Sequence, residues 1–299
     1  MLTGIRVLVI GGDARQLQVL RKCADLGASV HAVGFERIPE KIPGVSFVPL
    51  GEEVLESADA LILPVVGCDD EGKVNALFAE EPLQLLDEHV SVLPGHCTIY
   101  TGMAKPYLHN LSEKYGLKLV ELLNRDDIAI HNSIPTAEGA VMMAIQHTEI
   151  TIHRSKCIVL GMGRTGFTLA KTLQGLGADV KIGIRWKDEG ARAAVMGWKP
   201  FETRDLADEV SDIDLLFNTI PTMIITAQIL SRMPRSAVII DLASAPGGCD
   251  FSSAEKIGIK AVLAPSLPGI VAPKTAGMIM ADALVQQLLQ DNPNREEGI

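Results

Sequence analysis

The chain has 299 residues, 47% of them hydrophobic and only 4% aromatic, and a formal net charge of −10. That length suits two domains of ordinary size, the charge argues against nucleic acid as a partner, and no apolar stretch approaches the length of a membrane span. The five cysteines (Cys23, Cys68, Cys97, Cys157, Cys249) are scattered and odd in number. They suggest neither a disulfide framework nor a metal site. The first apolar run, Ile5–Ile10, is short and runs into Asp13 and Arg15, which makes a poor signal peptide, so a reducing cytoplasm is expected.

Runs of Val, Ile, Leu and Ala alternate with helical patterns from end to end. In the first half, strands are read at Ile5–Ile10, Ser29–Gly34, Ala60–Leu63, Val90–Leu93 and Leu117–Leu119, with a helix over Arg15–Leu26. NSIPTAEGAVMMAIQHTEI reads as a helix that starts near Pro135 and Thr136, since proline is favoured in a first turn. In the second half, strands are read at Cys157–Leu160, Val180–Ile184, Leu215–Asn218, Ala237–Asp241 and Ala261–Ala264, with a helix over Thr165–Leu176. A proline-punctuated loop, SLPGIVAPKTAG, leads to a final helix near Thr275–Gln290 and a polar tail. The alternation predicts an α/β protein of two doubly wound, Rossmann-like domains, joined by long helices with a cleft between them. The expected divisions are a substrate domain over 1–133, a linking helix over 134–152 and a dinucleotide-binding domain over 153–274. The C-terminal helix, 275–299, is expected to pack back on the first domain.

An internal repeat supports two related units. With a shift of 150 positions, which carries Gly11 onto Gly161, IGGDARQ lands on LGMGRTG without a gap. Leu26-Gly27-Ala28 lands on Leu176-Gly177-Ala178. Within the first copy, Asp13 takes the place of Gly163 and Gln16 that of Gly166.

In the second copy, Gly161, Gly163 and Gly166 satisfy G-x-G-x-x-G between a strand and a helix, the context that gives the pattern meaning. Gly161 makes the tight turn, Gly163 lets backbone approach a pyrophosphate, and Gly166 lets helix and strand pack. Met162, Arg164 and Thr165 complete the phosphate-facing turn, whose N–H groups and dipole favour anions. At the end of the next strand, where an NAD site carries Asp or Glu, stands Arg185, with Lys187 and Arg192 close by. An arginine there pairs with a 2′-phosphate, so NADP is expected over NAD. FNTIPT (Asn218, Thr219, Ile220, Pro221) and IIDLASAPGG (Asp241, Leu242, Ala243, Ser244) follow further strands and are expected to line the nicotinamide half, as is APSLPG after the last strand.

IGGDARQ, PGHCTIYTGMAKPYL, NSIPTAEGAVMMAI, VLGMGRTG and IDLASAPGG together resemble the A subunits of bacterial dipicolinate synthases, across essentially the whole chain. The second domain alone is similar to the cofactor domains of 2-hydroxyacid and alanine dehydrogenases. The resemblance implies oxidation of a cyclic lysine-pathway intermediate, dihydrodipicolinate derived from a hydroxy-tetrahydrodipicolinate, to dipicolinate. NADP would be the acceptor, in the mother cell of a spore-former. It also implies a partner, a flavoprotein-like B subunit. A homo-oligomer is expected as well.

That chemistry asks for cations to hold a small dicarboxylate and for a base to take a ring proton. Arg15, beside GGD, is the first candidate for the carboxylates, followed by Lys105, Thr101 and Ser133; Tyr107, Arg125 and Asn132 lie near these. For the base the candidates are His96, read as following a buried strand, then Asp13 and His131. Asp13 is alternatively a steering partner of Arg15, and Cys97 is read as packing. Two other functions compete. An ordinary NADP-dependent reductase of 2-oxo acids would want a His–carboxylate pair in the second domain, where only His153 lies, ahead of the first strand. A non-catalytic protein that binds a dinucleotide for regulation is compatible with the same motifs.

Overall fold

The computed structural model describes residues 1–292; residues 293–299, which include the polar tail and the end of the expected 275–299 helix, lie outside the described residues. The chain forms two units, Met1–Ile128 together with the segment that begins at Ala272, and Ala129–Val271.

In chain order the first unit contains β1 (Arg6–Ile10), α1 (Gln16–Asp25), β2 (Ser29–Val33), β3 (Val45–Phe47), α2 (Glu52–Glu56), β4 (Ala60–Ile62), β5 (Lys73–Val74), β6 (Leu83–Gln84), α3 (Asp87–Ser91), β7 (Thr98–Thr101), α4 (Pro106–Tyr115) and β8 (Lys118–Glu121), after which α5 (Asp126–His147) begins. Its parallel sheet has the order β3-β2-β1-β4-β7-β8. The order reverses between β2-β1 and β1-β4, which makes the carboxyl end of β1 a topological switch point. Both faces are buried, as a parallel sheet requires. Val7 and Val9 join one core with Val19, Leu20 and residues of the C-terminal helix, whereas Leu8 and Ile10 join another with Leu61, Ile99 and Leu108. One strand thus serves two cores through the two-residue alternation of its side chains.

The second unit repeats this plan with β9 (Lys156–Leu160), α6 (Arg164–Gly175), β10 (Asp179–Ile184), α7 (Lys187–Val195), β11 (Lys199–Glu202), α8 (Leu206–Glu209), β12 (Leu215–Asn218), α9 (Ala227–Leu230), β13 (Val238–Asp241), α10 (Phe251–Ile257), β14 (Lys260–Leu263) and α11 (Leu267–Val271). Its sheet order, β11-β10-β9-β12-β13-β14, matches the first. The repeat extends to the register: Arg6 pairs with Ser29 and Lys156 with Asp179. The final helix, α12 (Pro273–Asp291), belongs to the first unit and packs on α1, with a Lys22–Asp282 ion pair of 2.9 Å.

Three expectations need correction. Val90–Leu93 is not a strand: Val90 and Ser91 end α3, and Val92 caps it. Asp87 and Glu88 lie in its first turn, and His89 Nδ1 accepts the Leu86 N–H. A four-residue run, here three apolar residues interrupted by Ser91, has no period long enough to tell such a helix end from a strand. The true neighbour of β4 is β7, Thr98–Thr101. Second, the helix assigned a start near Pro135 begins at Asp126 and runs through the proline. Asp126 and Asp127 favour that earlier start at the positive end of the dipole, and Thr136 Oγ1 donates to Asn132 O at 2.8 Å beside the missing proline donor. Third, the division between the units falls inside α5, after Ile128, and not at residue 133.

The end of α12 is anchored by charge. The phenol of Tyr100, 1% exposed, donates to Asp291 Oδ2 at 2.7 Å, and Lys118 donates to Oδ1 at 2.6 Å. Burial pushes the Asp291 carboxyl up, but the hydrogen bonds from Lys118, Tyr100 and Gln287 outweigh it and leave it below the ordinary carboxylate range. Its stabilisation is therefore complete above a pH of about 4 and is lost as pH falls through the lowered folded value. Y100F should cost about 1 kcal/mol in urea unfolding at neutral pH. D291N should remove part of the acid sensitivity; an unchanged acid profile would contradict the anchor.

Candidate functional site

In the second unit, β9 ends in a turn built for open backbone. Gly161, at φ +93°, donates its N–H to Gly183 O at 2.9 Å. A Cβ on Gly166 would collide with Gly161 O, so only glycine lets α6 come this close to the turn. A Cβ on Gly163 would meet nothing within 4 Å, and no side chain caps α6. Among the described residues, the start of this twelve-residue helix thus carries no side-chain cap beside a strand end, the arrangement that suits a pyrophosphate.

Around this turn, Thr219 Oγ1 donates to Leu160 O at 2.7 Å. Ile220, Leu242 and Met162 are half-buried, Ala243 is buried, and Pro221 and Ser244 are exposed. At the end of β10, Arg185 is exposed and stacks over Trp186, 4.8 Å from the ring centroid. Among the described residues neither Arg185 nor Lys187 pairs with a carboxylate. The nearest acid, Glu189, is turned inward: its Oε2 accepts the backbone N–H groups of Arg185 (2.8 Å) and Trp186 (3.0 Å) as the cap of α7. The donor set therefore fits a 2′-phosphate better than a bare ribose diol.

The equivalent turn of the first unit is closed. Gly11 again donates to the second strand, at Val33 O (2.9 Å), but Gly12 donates to Asn75 O (2.6 Å) and accepts from the Leu77 N–H (2.9 Å). The Asn75–Leu77 segment lies against the turn: a Cβ on Gly11 would be 2.8 Å from Asn75 O. The helix end is filled by the chain's own anion. Asp13 Oδ1 accepts the Arg15 N–H (2.9 Å), and its two oxygens take Arg15 Nε (2.9 and 3.1 Å) and Nη2 (2.7 Å). Gln16, 3% exposed, donates to Leu63 O at 3.1 Å. Burial raises the Asp13 carboxyl, yet the side-chain and backbone hydrogen bonds of Arg15 and its charge outweigh that, holding it below its ordinary value. Such a carboxylate is a weak base at neutral pH, which suits it to steering Arg15.

Past β4 and β7 lies a recess of about 290 Å³ lined by Val66–Asp69, Lys73–Asn75 and Lys105. Lys105 precedes α4 and, among the described residues, makes no hydrogen bond or ion pair through its ammonium group. Lys73 in the same recess is taken by Glu71.

Residues 6–123 match the family model for the N-terminal domain of the dipicolinate synthase A subunit, and residues 129–296 match the alanine dehydrogenase/PNT C-terminal domain. The chain is 49% identical to the A subunit of Bacillus subtilis (strain 168) dipicolinate synthase, over 97% of this chain and 98% of that one. The chain belongs to the family of dipicolinate synthase A subunits. The crystal structure of the Bacillus halodurans member matches with a TM-score of 0.94 at 49% identity, covering 96% of this chain and 99% of that one. A transhydrogenase from Sinorhizobium meliloti, at 17% identity and a TM-score of 0.70 over 95% and 93% of the chains, shares the fold.

Several expected site residues of this family member lie elsewhere or are occupied. His96 does not follow a strand: it precedes β7, at the amino ends of the strands, where its Nε2 lies 2.9 Å from Asp59 Oδ1. Arg6 holds the same carboxylate. The group is at the edge of the sheet opposite the Gly11 turn, which removes the reason for reading His96 as a base. Thr101, 1% exposed, is the last residue of β7 and donates to Pro64 O at 2.6 Å. Ser133 belongs to the second unit and is buried, bonded to Ile130 O and Thr168 Oγ1 at 2.6 Å each. His131 is exposed on α5, Arg125 pairs with Asp127, and Tyr107 donates to Leu85 O. Burial pushes the Cys97 thiol up to about 12, which suits packing. Asn218, 0% exposed, has its amide bonded inward. Asn75 gives no signal in the sequence, because only the folded insertion brings it to the turn.

The glycines give a test that separates folding from binding. G163A should unfold within about 0.5 kcal/mol of wild type, because its Cβ meets nothing. It should bind a nicotinamide dinucleotide about tenfold or more weakly by calorimetry, because that Cβ stands where the phosphates of a dinucleotide held on this turn would approach. G166A should lose stability as well as binding. Equal stability losses in the two variants would contradict the geometry.

Proposed function

We propose that this chain oxidises dihydrodipicolinate, formed from a hydroxy-tetrahydrodipicolinate of the lysine pathway, to dipicolinate. NADP is the acceptor, the setting is the cytoplasm of a sporulating mother cell, and the partner is a flavoprotein-like B subunit. In the balanced reaction one ring carbon gives up a hydride and a proton leaves the ring, so that dihydrodipicolinate and NADP⁺ yield dipicolinate, NADPH and H⁺. A bound nicotinamide dinucleotide supplies the hydride acceptor. Gly161–Gly166 and the start of α6 hold its pyrophosphate, and Arg185 with Lys187 holds its 2′-phosphate. The observation that supports the choice of NADP is two cations at the end of β10, Arg185 and Lys187, that pair with no carboxylate among the described residues, beside a glutamate committed to the helix cap.

In the first unit, Arg15 and Lys105 are the carboxylate-holding groups. Asp13 fixes the guanidinium through Nε and Nη2, which leaves Nη1 for a ligand. Lys105 contributes an ammonium group in the neighbouring recess, where it makes no ion pair among the described residues. Family membership supports the reaction class; these cations support a dianionic substrate.

Incubation of the purified chain with the intermediate and NADP should give NADPH, read at its nicotinamide absorbance, and dipicolinate in equal amounts. Cofactor binding without turnover of this substrate would overturn catalysis by the isolated chain. R15A should raise KM about tenfold or more while NADPH affinity stays within about twofold, since the lost charge-assisted bonds reach only the substrate; equal loss of both would reject the assignment. R185A should reduce the preference for NADP over NAD by about tenfold, and an unchanged ratio would reject that role.

A further inference from the structure

Asp241 ends β13 and is 0% exposed, yet no Lys, Arg or His among the described residues pairs with it. Its carboxylate is instead surrounded by N–H donors. Oδ1 accepts from Asn218 Nδ2 (2.9 Å) and Ala243 N (3.1 Å), and Oδ2 accepts from Gly248 N (2.7 Å). Asn218 passes the constraint on: its Nδ2 donates to Ile220 O and its Oδ1 accepts the Ile220 N–H, both at 3.0 Å. The Gly248 carbonyl accepts from Ile224 and Ile225, each at 2.9 Å. The fit leaves no slack, since a Cβ on Gly247 would be 2.6 Å from Asp241 Oδ2 and one on Gly248 2.5 Å from Asn218 Nδ2.

We propose that Asp241 is a positioning residue that locks the loops after β12 and β13 into one rigid wall for the nicotinamide half of the dinucleotide. The inference rests on the dinucleotide reading of this unit. A single acceptor group with two oxygens serves the last residue of β12 and two donors of the loop after β13, and Asn218 and the Gly248 carbonyl extend the tie to Ile220, Ile224 and Ile225 in the loop after β12, so neither loop moves without breaking a buried hydrogen bond, at the full cost of an unsatisfied group. An amide cannot take its place. In whichever orientation Asn sits at 241, its NH₂ faces either the Gly248 N–H or the N–H groups of Asn218 and Ala243. The turn at Gly161–Gly166, which takes the pyrophosphate, makes no hydrogen bond to Asp241, so the damage is confined to the nicotinamide end.

The test uses NADPH and a fragment lacking the nicotinamide, 2′-phospho-ADP-ribose, against the full-length chain. In D241N, NADPH should bind about tenfold more weakly and lose its bound-state fluorescence shift, while the fragment stays within about twofold. Equal weakening of both, or no change in either, would overturn the proposal, because a general structural role does not distinguish the two ends. If D241N does not fold, N218S, which removes the donor to Oδ1, carries the same comparison with the same outcomes. A wild-type chain that binds neither probe would overturn the dinucleotide reading itself; a wild-type chain that binds both, with an unaffected variant, would overturn only the role of Asp241.

Discussion

The N–H groups at the start of a helix must find an acceptor, and in this molecule the same backbone turn meets that demand in two ways. In the second unit no side chain among the described residues caps the start of α6, and a Cβ on Gly163 would meet nothing within 4 Å. In the first unit Asp13, at the corresponding position, supplies the anion from within. A carboxylate at that position is worth roughly 0.3–1 kcal/mol through the helix dipole alone. It removes the attraction for phosphate. Aspartate in register with glycine is thus one of the differences that separate a turn suited to a nucleotide from a turn that holds an arginine.

Topology explains why both turns stand where an α/β sheet can bind a ligand. The two sheets share one strand order and one register between their first two strands. In each, the crevice opens at the carboxyl end of the first strand, where the connections part to opposite sides. The units differ in what lies beyond. The stretch between β4 and β7 carries the β5–β6 hairpin and the Asn75–Leu77 segment, whose backbone pairs with Gly12. That insertion covers the space a phosphate would enter. The left-handed φ of Gly11 is kept because the turn still bends the same way, while Gln16, in place of the third glycine, sends its side chain to Leu63 O.

Most of the fold is legible in the sequence because parallel strands buried on both faces read as unbroken apolar runs: β1, β2, β4 and every central strand of the second unit stand out. The failures have physical causes. β7 is hidden because TIYT mixes hydroxyls with an aromatic residue, and its polar atoms are satisfied only by the folded chain, Thr101 on Pro64 and Tyr100 on Asp291. Reading a strand at Val90–Leu93 in its place moves His96 from the amino edge of the sheet to the carboxyl edge, where a base would be wanted. β5 and β6 are two residues each in an acidic stretch and have no pattern to read. The dinucleotide turn is legible because glycine reports on backbone alone. Side chains such as Ser133 and Asn218 are not, since nothing in their identity says whether they face a ligand or the core.

A protein of net charge −10 that handles anions must place its cations with care. Screening limits the reach of the distant acids to about 8–10 Å at ordinary ionic strength, so local pairing decides which cations remain available. Most lysines with a resolved partner are committed to surface pairs: Lys114 with Asp87, Lys156 with Asp212, Lys181 with Glu209 and Lys199 with Asp179. Several of these lie at the amino ends of the second sheet, away from the strand ends that bear the glycine turn. Arg185, Lys187 and Lys105 follow the carboxyl ends of their strands and make no carboxylate pair among the described residues. Arg15 is the exception that clarifies the rule. Its pairing with Asp13 balances its charge but fixes its plane, so it can select a carboxylate by geometry where a free lysine selects by charge. The proposed substrate, with two carboxylates on one flat ring, asks for both kinds of group.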